Sequence, residues 1–327
     1  MLENSEYWGD PGAALYNAYK ENVILGNTCL EIFGPQTVDL KARTSAPVVL
    51  MWVETLAKMA RTPFKEITTA TMIRLEDNQL FAGDLFEYVR GRERDLPLEN
   101  EQPEGHSGEL KVIDLHKRLG LDWQPGTYLV TVLLRDQSSN RLQMEFKQGE
   151  SAYVDPAVEE YYAEQRSKPM QRSIWPDPGN PLPSYKSQNE SPPLPDDVGI
   201  ALECDRLTIL RPESKAKVHG SFRLPVLAGD ILPEPTIDGV GAVIPISLVI
   251  TRSEARGATV LPLTVPIYGN IPSGGKAPVV TGYFNFNLLT ISRVSVEPQT
   301  LFISAYYGES MVGPIPMALV ADDQGKK

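Results

Sequence analysis

Cysteine and histidine are scarce in this chain of 327 residues, with two and three copies respectively. Each half has one cysteine, Cys29 or Cys204, so a duplicated disulfide framework is excluded, and we expect both to be small buried hydrophobic residues of a reducing compartment. The three histidines, His106, His116 and His219, show none of the HxH, HExxH or HxxxH spacings typical of metal sites. A histidine metal centre would need all three to converge from separate segments, so we predict none.

Positive charge and long apolar runs are also lacking. The chain has 31 Lys and Arg against 42 Asp and Glu, a net charge of -11, which argues against nucleic acid as a partner because phosphate binding needs clustered cations. No apolar run approaches the roughly 20 residues of a membrane helix, so no membrane span is predicted. The opening sequence MLENSEYWGDPG lacks the features of a secretion signal, which favours a cytoplasmic location.

Motifs of the commonest enzyme classes are absent as well. The sequence has no Gly-x-Ser-x-Gly elbow, no Gly-x-Gly-x-x-Gly fingerprint and no P-loop. These absences remove the usual signatures of hydrolases, dinucleotide-binding proteins and nucleotide-binding proteins. We therefore predict no catalytic residues and no cofactor, and we expect that the protein is not an enzyme.

Carboxylates are the one chemically reactive group in surplus. Glu76, Asp77 and Asp84 lie on a predicted hairpin, and carboxylate oxygens are ligands that suit Ca²⁺. The sequence lacks the Asp-x-Asp-x-Asp-Gly loop, however, and acidic residues at a hairpin turn are usually solvated. These three residues are the calcium candidates, with a solvated turn as the alternative.

Short segments rich in Val, Ile, Thr, Tyr and Phe recur along the chain, separated by Pro, Gly, Asn and Asp. This pattern is typical of antiparallel β-structure, and its density favours a sandwich. The strands predicted in the first half are 28–33, 38–42, 48–54, 68–75, 80–89, 109–115, 127–134 and 142–146. Those predicted in the second half are 200–210, 216–224, 242–251, 260–267, 279–287, 299–306 and 311–320. Residues 56–59 fit a short helix, but the surrounding pattern favours β-structure there.

A weak internal repeat links the two halves. Residues 113–134 align without a gap on 286–307, and residues 30–37 align on 207–214. Two anchors in the same order and at nearly equal spacing predict a duplicated unit of domain size. The identical pairs are Leu115 with Leu288, Pro125 with Pro298 and Thr127 with Thr300 in the longer alignment, and Leu30 with Leu207, Ile32 with Ile209 and Pro35 with Pro212 in the shorter one.

Residues 121–132, LDWQPGTYLVTV, resemble the entry to the penultimate strand of bacterial immunoglobulin-like or fibronectin-III-like domains. The resemblance implies that Tyr128 closes a corner by hydrogen bonding back to the backbone. The second copy departs from this pattern, with Gln299 and Leu301 in place of Gly126 and Tyr128, so its corner must be closed in another way. The predicted fold is all-β: two antiparallel immunoglobulin-like β-sandwich domains from an internal duplication, joined by a short helix and a proline-rich connector.

The stretch between the repeats is unlike either of them. Asp155 and Pro156, followed by two acids, are typical of a helix start, and Pro169 would end the helix. Eight prolines between Pro169 and Pro195 predict an extended connector. It either wraps one sandwich, with Trp175 as an anchor, or is a ligand for a groove on another protein. The predicted boundaries are 1–20 for an N-terminal segment, 21–150 and 199–322 for the sandwiches, 151–198 for the helix and linker, and 323–327 for a polar tail.

A surface for another protein is the function that these features favour. Aromatic side chains concentrate at interface centres, and the candidates are Trp175 and Tyr185 in the connector and the pair Tyr306 and Tyr307, of which one ring should point outward. The alternative for the pair is that these rings pack between the two domains. We expect a non-enzymatic accessory subunit or scaffold, with the partner's identity and the oligomeric state left open. The alternatives are a carbohydrate- or ligand-binding module, with or without calcium, and an enzyme built from scattered carboxylates or three histidines.

Overall fold

The structure is a computed structural model that describes residues 13–39, 46–62, 64–86, 105–119, 124–147, 191–225, 232–236, 239–268, 279–291 and 294–322. Most of these residues form β-strands in sheets, which confirms the predicted all-β class. No helix in these ranges is long and apolar enough to cross a membrane. The helix predicted from Asp155 lies outside the described residues, as do Trp175 and Tyr185.

The chain groups into two compact units. Unit 1 comprises Met1–Met72, Phe81–Gln171 and Glu254–Gly257, and unit 2 comprises Ile73–Leu80, Arg172–Ser253 and Ala258–Lys327. The predicted domain boundaries stay predictions, because most of the linker falls outside the described residues.

The first half of the chain carries four short helices and nine short strands in its described residues. The helices are α1 (Ala13–Leu25), α2 (Leu56–Arg61), α3 (Phe64–Ile67) and α4 (Leu115–Leu119). The strands are β1 (Cys29–Phe33), β2 (Thr37–Asp39), β3 (Pro47–Thr55), β4 (Thr69–Arg74), β5 (Gln79–Asp84), β6 (His106–Asp114), β7 (Gly126–Leu134), β8 (Gln137–Ser138) and β9 (Leu142–Lys147). Helix α2 replaces the β-structure expected around 56–59, because Thr55 caps it by accepting a hydrogen bond from the Lys58 N–H.

These strands form two sheets around one core. One sheet has the order β1-β3-β6, and the other has the order β2-β9-β7-β4-β5, with β8 paired to β7. Strand β3 is buried on both faces: Leu50 and Trp52 join the core shared by the two sheets, while helix α1 packs against β3 and β6. The Tyr19 hydroxyl fixes that helix by donating to the carbonyl oxygen of Gly108 at 3.0 Å.

The second half of the chain carries nine strands in its described residues. They are β10 (Gly199–Cys204), β11 (Leu207–Leu210), β12 (Lys217–Pro225), β13 (Leu232–Thr236), β14 (Gly239–Arg252), β15 (Thr259–Tyr268), β16 (Val279–Asn287), β17 (Gln299–Tyr307) and β18 (Ser310–Ala321), with a 3-10 helix at Leu288–Thr290. Their order is β10-β12-β16-β15-β14-β17-β18-β11, and β13 pairs with β14. Only two residue pairs join β15 to β16, and side chains from both sides of this junction share one core.

The two halves have the same strand order. In each half the first strand pairs with the third, and a short second strand pairs with the last. The second strand runs parallel to the last one in both halves, at β2–β9 and β11–β18. The prediction of purely antiparallel sheets is therefore wrong. The second strand of each half therefore pairs with the last strand and not with the first, although it follows the first closely in sequence.

A capping arrangement closes the end of β6 in the first half. One carboxylate oxygen of Asp114 accepts hydrogen bonds from the N–H groups of Ala46 and His116, at 3.1 and 3.0 Å. The N–H of Leu115 donates to the carbonyl oxygen of Ala46 at 2.9 Å. The side chain thus caps α4 and ties it to the start of β3.

The same arrangement recurs at the end of β16 in the second half. The side-chain oxygen of Asn287 accepts from the N–H groups of Ala216 and Leu289, at 2.9 and 3.2 Å. The N–H of Leu288 donates to the carbonyl oxygen of Ala216 at 2.7 Å. The alignment of residues 113–134 on 286–307 therefore pairs side chains that make the same contacts.

The alignment of residues 30–37 on 207–214 is wrong, because it does not pair structurally equivalent strands. Residues 30–33 lie in β1, whereas 207–210 form β11, which holds the position of β2 in the shared strand order. The strand that matches β1 is β10. The chance likeness of two short apolar segments, each followed by a proline, shifted the alignment by one strand.

Both halves close the corner before the penultimate strand with a side chain. The Tyr128 hydroxyl donates to the carbonyl oxygen of Gln124 at 2.9 Å, as the resemblance implied. Its buried ring packs edge-on against Phe146, with the ring centroids 4.9 Å apart. In the second half, the amide of Gln299 donates to the carbonyl oxygen of Ser295 at 2.8 Å. Each bond spans four residues, although Gln299 aligns with Gly126 and not with Tyr128.

Candidate functional site

The calcium candidates lie on and after the β4–β5 hairpin, and arginines hold two of them. Asp77 pairs with Arg74, whose Nε lies 2.9 Å from Oδ1. Burial raises the pKa of Asp77, but the hydrogen bonds from Arg74 and the Gln79 N–H outweigh this and lower it overall. Glu76 is exposed at the turn. Among the described residues, no three His, Cys, Asp or Glu side chains are grouped to hold a metal ion.

The third candidate, Asp84, is held in unit 1 by the turn at 254–257. Its Oδ2 accepts from Arg256 Nε at 3.2 Å, and its Oδ1 accepts from the Gly257 N–H at 3.0 Å. Arg256 also donates to the carbonyl oxygen of Phe86. The Asp84 carboxylate thus stabilises this turn through an arginine and a backbone N–H. A calcium ion would have to displace both of these partners.

The tyrosine pair chosen as a partner surface is buried. Tyr306 and Tyr307 each have 3% of their surface exposed. Tyr307 joins the core, and Tyr306 lies on the opposite face of β17, which is also covered. The expectation of one outward, exposed ring is wrong, because alternation along a strand fixes the face of a side chain but not what covers that face.

Among the described residues, the histidines and cysteines form no group that could hold a metal ion. His106 and His116 belong to unit 1 and His219 belongs to unit 2. Both cysteines are free. Burial raises the pKa of the Cys204 thiol to about 11, so this thiol is protonated near neutrality and is a poor nucleophile.

A buried polar cluster joins the end of β3 to the β7–β8 hairpin. Glu54 has only 4% of its surface exposed, and its carboxylate oxygens lie 2.8 Å from Lys58 Nζ, 3.0 Å from Gln137 Nε2 and 3.0 Å from the Thr55 N–H. Burial raises the pKa of Glu54, but these hydrogen bonds and the Lys58 charge outweigh it and lower the pKa overall. The cluster holds a satisfied, ionised carboxylate under the start of helix α2.

The same hairpin also holds the other end of helix α2. Arg135 adopts a left-handed backbone conformation with φ of 53°, which is uncommon for a residue other than glycine. Its Nη1 donates to Thr62 Oγ1 at 3.3 Å, and its Nη2 donates to the carbonyl oxygen of Arg61 at 3.1 Å. The β7–β8 hairpin thus holds both ends of helix α2, which indicates that Glu54 and Arg135 have a structural role.

We expect Glu54→Gln to lower the free energy of unfolding by about 2 kcal/mol at pH 7, because hydrogen bonds to a charged group are lost. The folded-state pKa of Glu54 is depressed, so its contribution is present above the unfolded pKa of about 4.3 and is lost as pH falls through the folded value. When urea unfolding is measured from pH 7 to 3, the free energies of unfolding of wild type and Glu54→Gln should therefore converge at the acid end. Glu213→Gln, at an exposed position, controls for the change in net charge. A difference in unfolding free energy between wild type and Glu54→Gln that stays constant from pH 7 to 3 would contradict the prediction.

The outer face of β12 holds the described end of the connector. Ser221 Oγ donates to the carbonyl oxygen of Pro193 at 2.7 Å, and Arg223 Nε donates to the carbonyl oxygen of Pro195 at 2.9 Å. Ser221 has no exposed surface, although it lies on the side of the sheet away from the core. Residues 191–195 form no strand, so side chains, and not a backbone ladder, bind them.

The alternation of β12 explains how this face is built. Phe222 and Leu224 point into the core, so Ser221 and Arg223 point to the other face. On that face, Tyr283 of β16 and Ala201 of β10 lie directly opposite Ser221. Sequence reasoning missed these residues, although a serine and an arginine alternating with core residues were a visible sign of a polar outer face.

Comparison with known proteins adds no assignment. No protein-family model matches this chain, and no curated protein matches it. The functional argument therefore depends on the geometry of the chain itself.

Proposed function

We propose that the chain is a tandem of two immunoglobulin-like β-sandwiches that arose by duplication. Support comes from the shared strand order with its parallel second strand. Further support comes from the matching caps at Asp114 and Asn287 and from the matching corners at Tyr128 and Gln299. Domains of this architecture carry a corner of this kind before the penultimate strand.

The function we propose is that of a non-enzymatic accessory subunit or scaffold that binds another protein. The observation that carries this proposal is the outer face of β12, where Ser221 and Arg223 bind the backbone of an extended segment. A sheet face that binds one extended peptide has the chemistry to bind others. The calcium-dependent alternative is less well supported, because Arg74 and Arg256 already neutralise two of its carboxylates.

Affinity capture of the tagged full chain from lysate of its own organism, at moderate salt, tests this function. We expect one partner in roughly stoichiometric amount, identified by mass spectrometry and checked by cross-linking. A Ser221→Ala/Arg223→Ala bait then locates the contact: loss of the partner assigns it to the β12 face, and retention assigns it elsewhere. Recovery of the chain alone, from both baits, would contradict the proposal.

A further inference from the structure

We propose that the outer face of β12 is a binding site for a proline-rich, extended segment of a partner, and that residues 191–195 of this chain occupy it as a built-in competitor. The inference deepens the proposed protein-binding function and rests on it. Its template is the sequence Ser-Pro-Pro-Leu-Pro, which the structure already places on this face through Ser221 and Arg223.

The donors of the face match what a proline-rich backbone can offer. Proline has no N–H, so such a backbone can accept hydrogen bonds but offers few donors. Within residues 192–195 the one N–H belongs to Leu194. Ser221 and Arg223 both donate, and they lie two residues apart on β12, as do the carbonyl groups of Pro193 and Pro195 that they bind. Because both contacts use carbonyl groups of the segment, prolines that lack an N–H lose no hydrogen bond at this face.

The flanking strands place one large and one small side chain beside this row. Tyr283 stands on one side of Ser221 and Ala201 stands on the other, so a large ring and a single methyl group border the same position. Aromatic side chains beside hydrogen-bond donors are the usual lining of grooves that bind polyproline-type segments. Pro192 is buried in the occupied site, while Ser191 Oγ reaches the carbonyl oxygen of Phe284 at 3.5 Å.

No ladder pair of β12 with β10 or β16 includes residues 191–195, so release of this segment breaks no strand pairing of β12. The hydrogen bonds that Ser221 and Arg223 donate to the segment come from side chains. Pro193 is exposed even in the bound position. A tethered ligand acts at an effective concentration of about millimolar, so the free site is masked from weak competitors, and a partner must bind more tightly or present several copies.

The test uses the full chain with its own segment weakened. Pro192→Gly/Pro193→Gly/Pro195→Gly removes the pre-organised backbone of residues 191–195 and leaves the sheet face intact. The probe is a fluorescein-labelled Ser-Pro-Pro-Leu-Pro peptide followed by anisotropy. We expect this open variant to bind the probe at least tenfold more tightly than wild type. Adding Ser221→Ala/Arg223→Ala to the open variant should remove the gain, and a Ser-Gly-Gly-Leu-Gly probe should bind neither protein.

A second measurement applies to the wild-type chain, where no substitution can disturb folding. Excess unlabelled peptide should move the amide NMR signal of ¹⁵N-labelled Leu194 toward its position in a free peptide, because displacement releases residues 191–195. Absence of binding to a folded open variant, or an unchanged Leu194 signal, would overturn the inference. A partner captured by both baits described above would leave the proposed function standing with its site elsewhere, so the two failures are distinguishable.

Discussion

Gly282→Ala is expected to lower the free energy of unfolding by about 3 kcal/mol, because overpacking a dense core forces backbone shifts. An added Cβ at position 282 would lie 2.3 Å from the ring of Phe222 and 2.5 Å from the carbonyl oxygen of Pro266. Phe222 is fully buried, and Pro266 belongs to strand β15, so neither atom can move away cheaply. The position sits where β15 and β16 are joined by two residue pairs, and the damage should therefore spread across that junction.

Urea denaturation followed by circular dichroism measures this effect, and Gly199→Ala is the matched control. Gly199 lies in β10 of the same half, and an added Cβ there meets nothing within 4 Å. We expect its free energy of unfolding to stay within about 1 kcal/mol of wild type. Equal loss in the two variants would show that the cost comes from glycine replacement in strands in general and not from the contacts of position 282.

Trp52→Ala is expected to lower the free energy of unfolding by about 3–5 kcal/mol, the range for removing a large aromatic side chain from a core. Trp52 has 2% of its surface exposed, and its ring stacks on Phe64 with centroids 4.4 Å apart and planes 4° from parallel. Deleting it opens a cavity between the two sheets and removes the stacked partner of Phe64, which keeps its tilted contact with Phe86.

Trp52→Phe separates packing from polarity at the same position. The indole Nε1 of Trp52 is buried without an acceptor among the described residues, so phenylalanine removes an unpaired donor while keeping most of the stacking. Removing the unpaired donor offsets part of the free energy that is lost with the smaller side-chain volume. We therefore expect the free energy of unfolding to fall by about 1 kcal/mol. Circular dichroism should monitor unfolding, since the substitution alters fluorescence. A Trp52→Phe loss as large as that of Trp52→Ala would contradict this account.

Local patterning predicted much of the fold from the sequence. The predicted strand 279–287 matches β16 residue for residue, because alternation between neighbouring residues decides where such a strand lies. The corner bond of Tyr128, which the resemblance of residues 121–132 to immunoglobulin-like domains implied, is present. The alignment of residues 113–134 on 286–307 pairs two caps that make the same contacts, while the duplication that it suggested stays a prediction.

Features that depend on distant residues could not be predicted in this way. The single predicted strand 200–210 is two strands in different places of the sheet, because Asp205 turns the chain and binds the Lys217 N–H at 2.8 Å. The burial of Tyr306 depends on what covers an outer face. The Ser221 and Arg223 site likewise requires a segment about 28 residues earlier in the chain to return to β12. Periodicity in a single strand contains none of this information.

The parallel pairing of β11 with β18 also fixes when this half can be completed during synthesis. Roughly a hundred residues separate the two strands, so β11 leaves the ribosome well before the strand it pairs with has been made. During that interval β11 is an unpaired strand that carries Leu207 and Ile209, two apolar residues that are exposed even in the finished fold. An unpaired strand of this kind can pair with neighbouring chains. A nascent chain that ends between β17 and β18 therefore has β11 without the strand it pairs with.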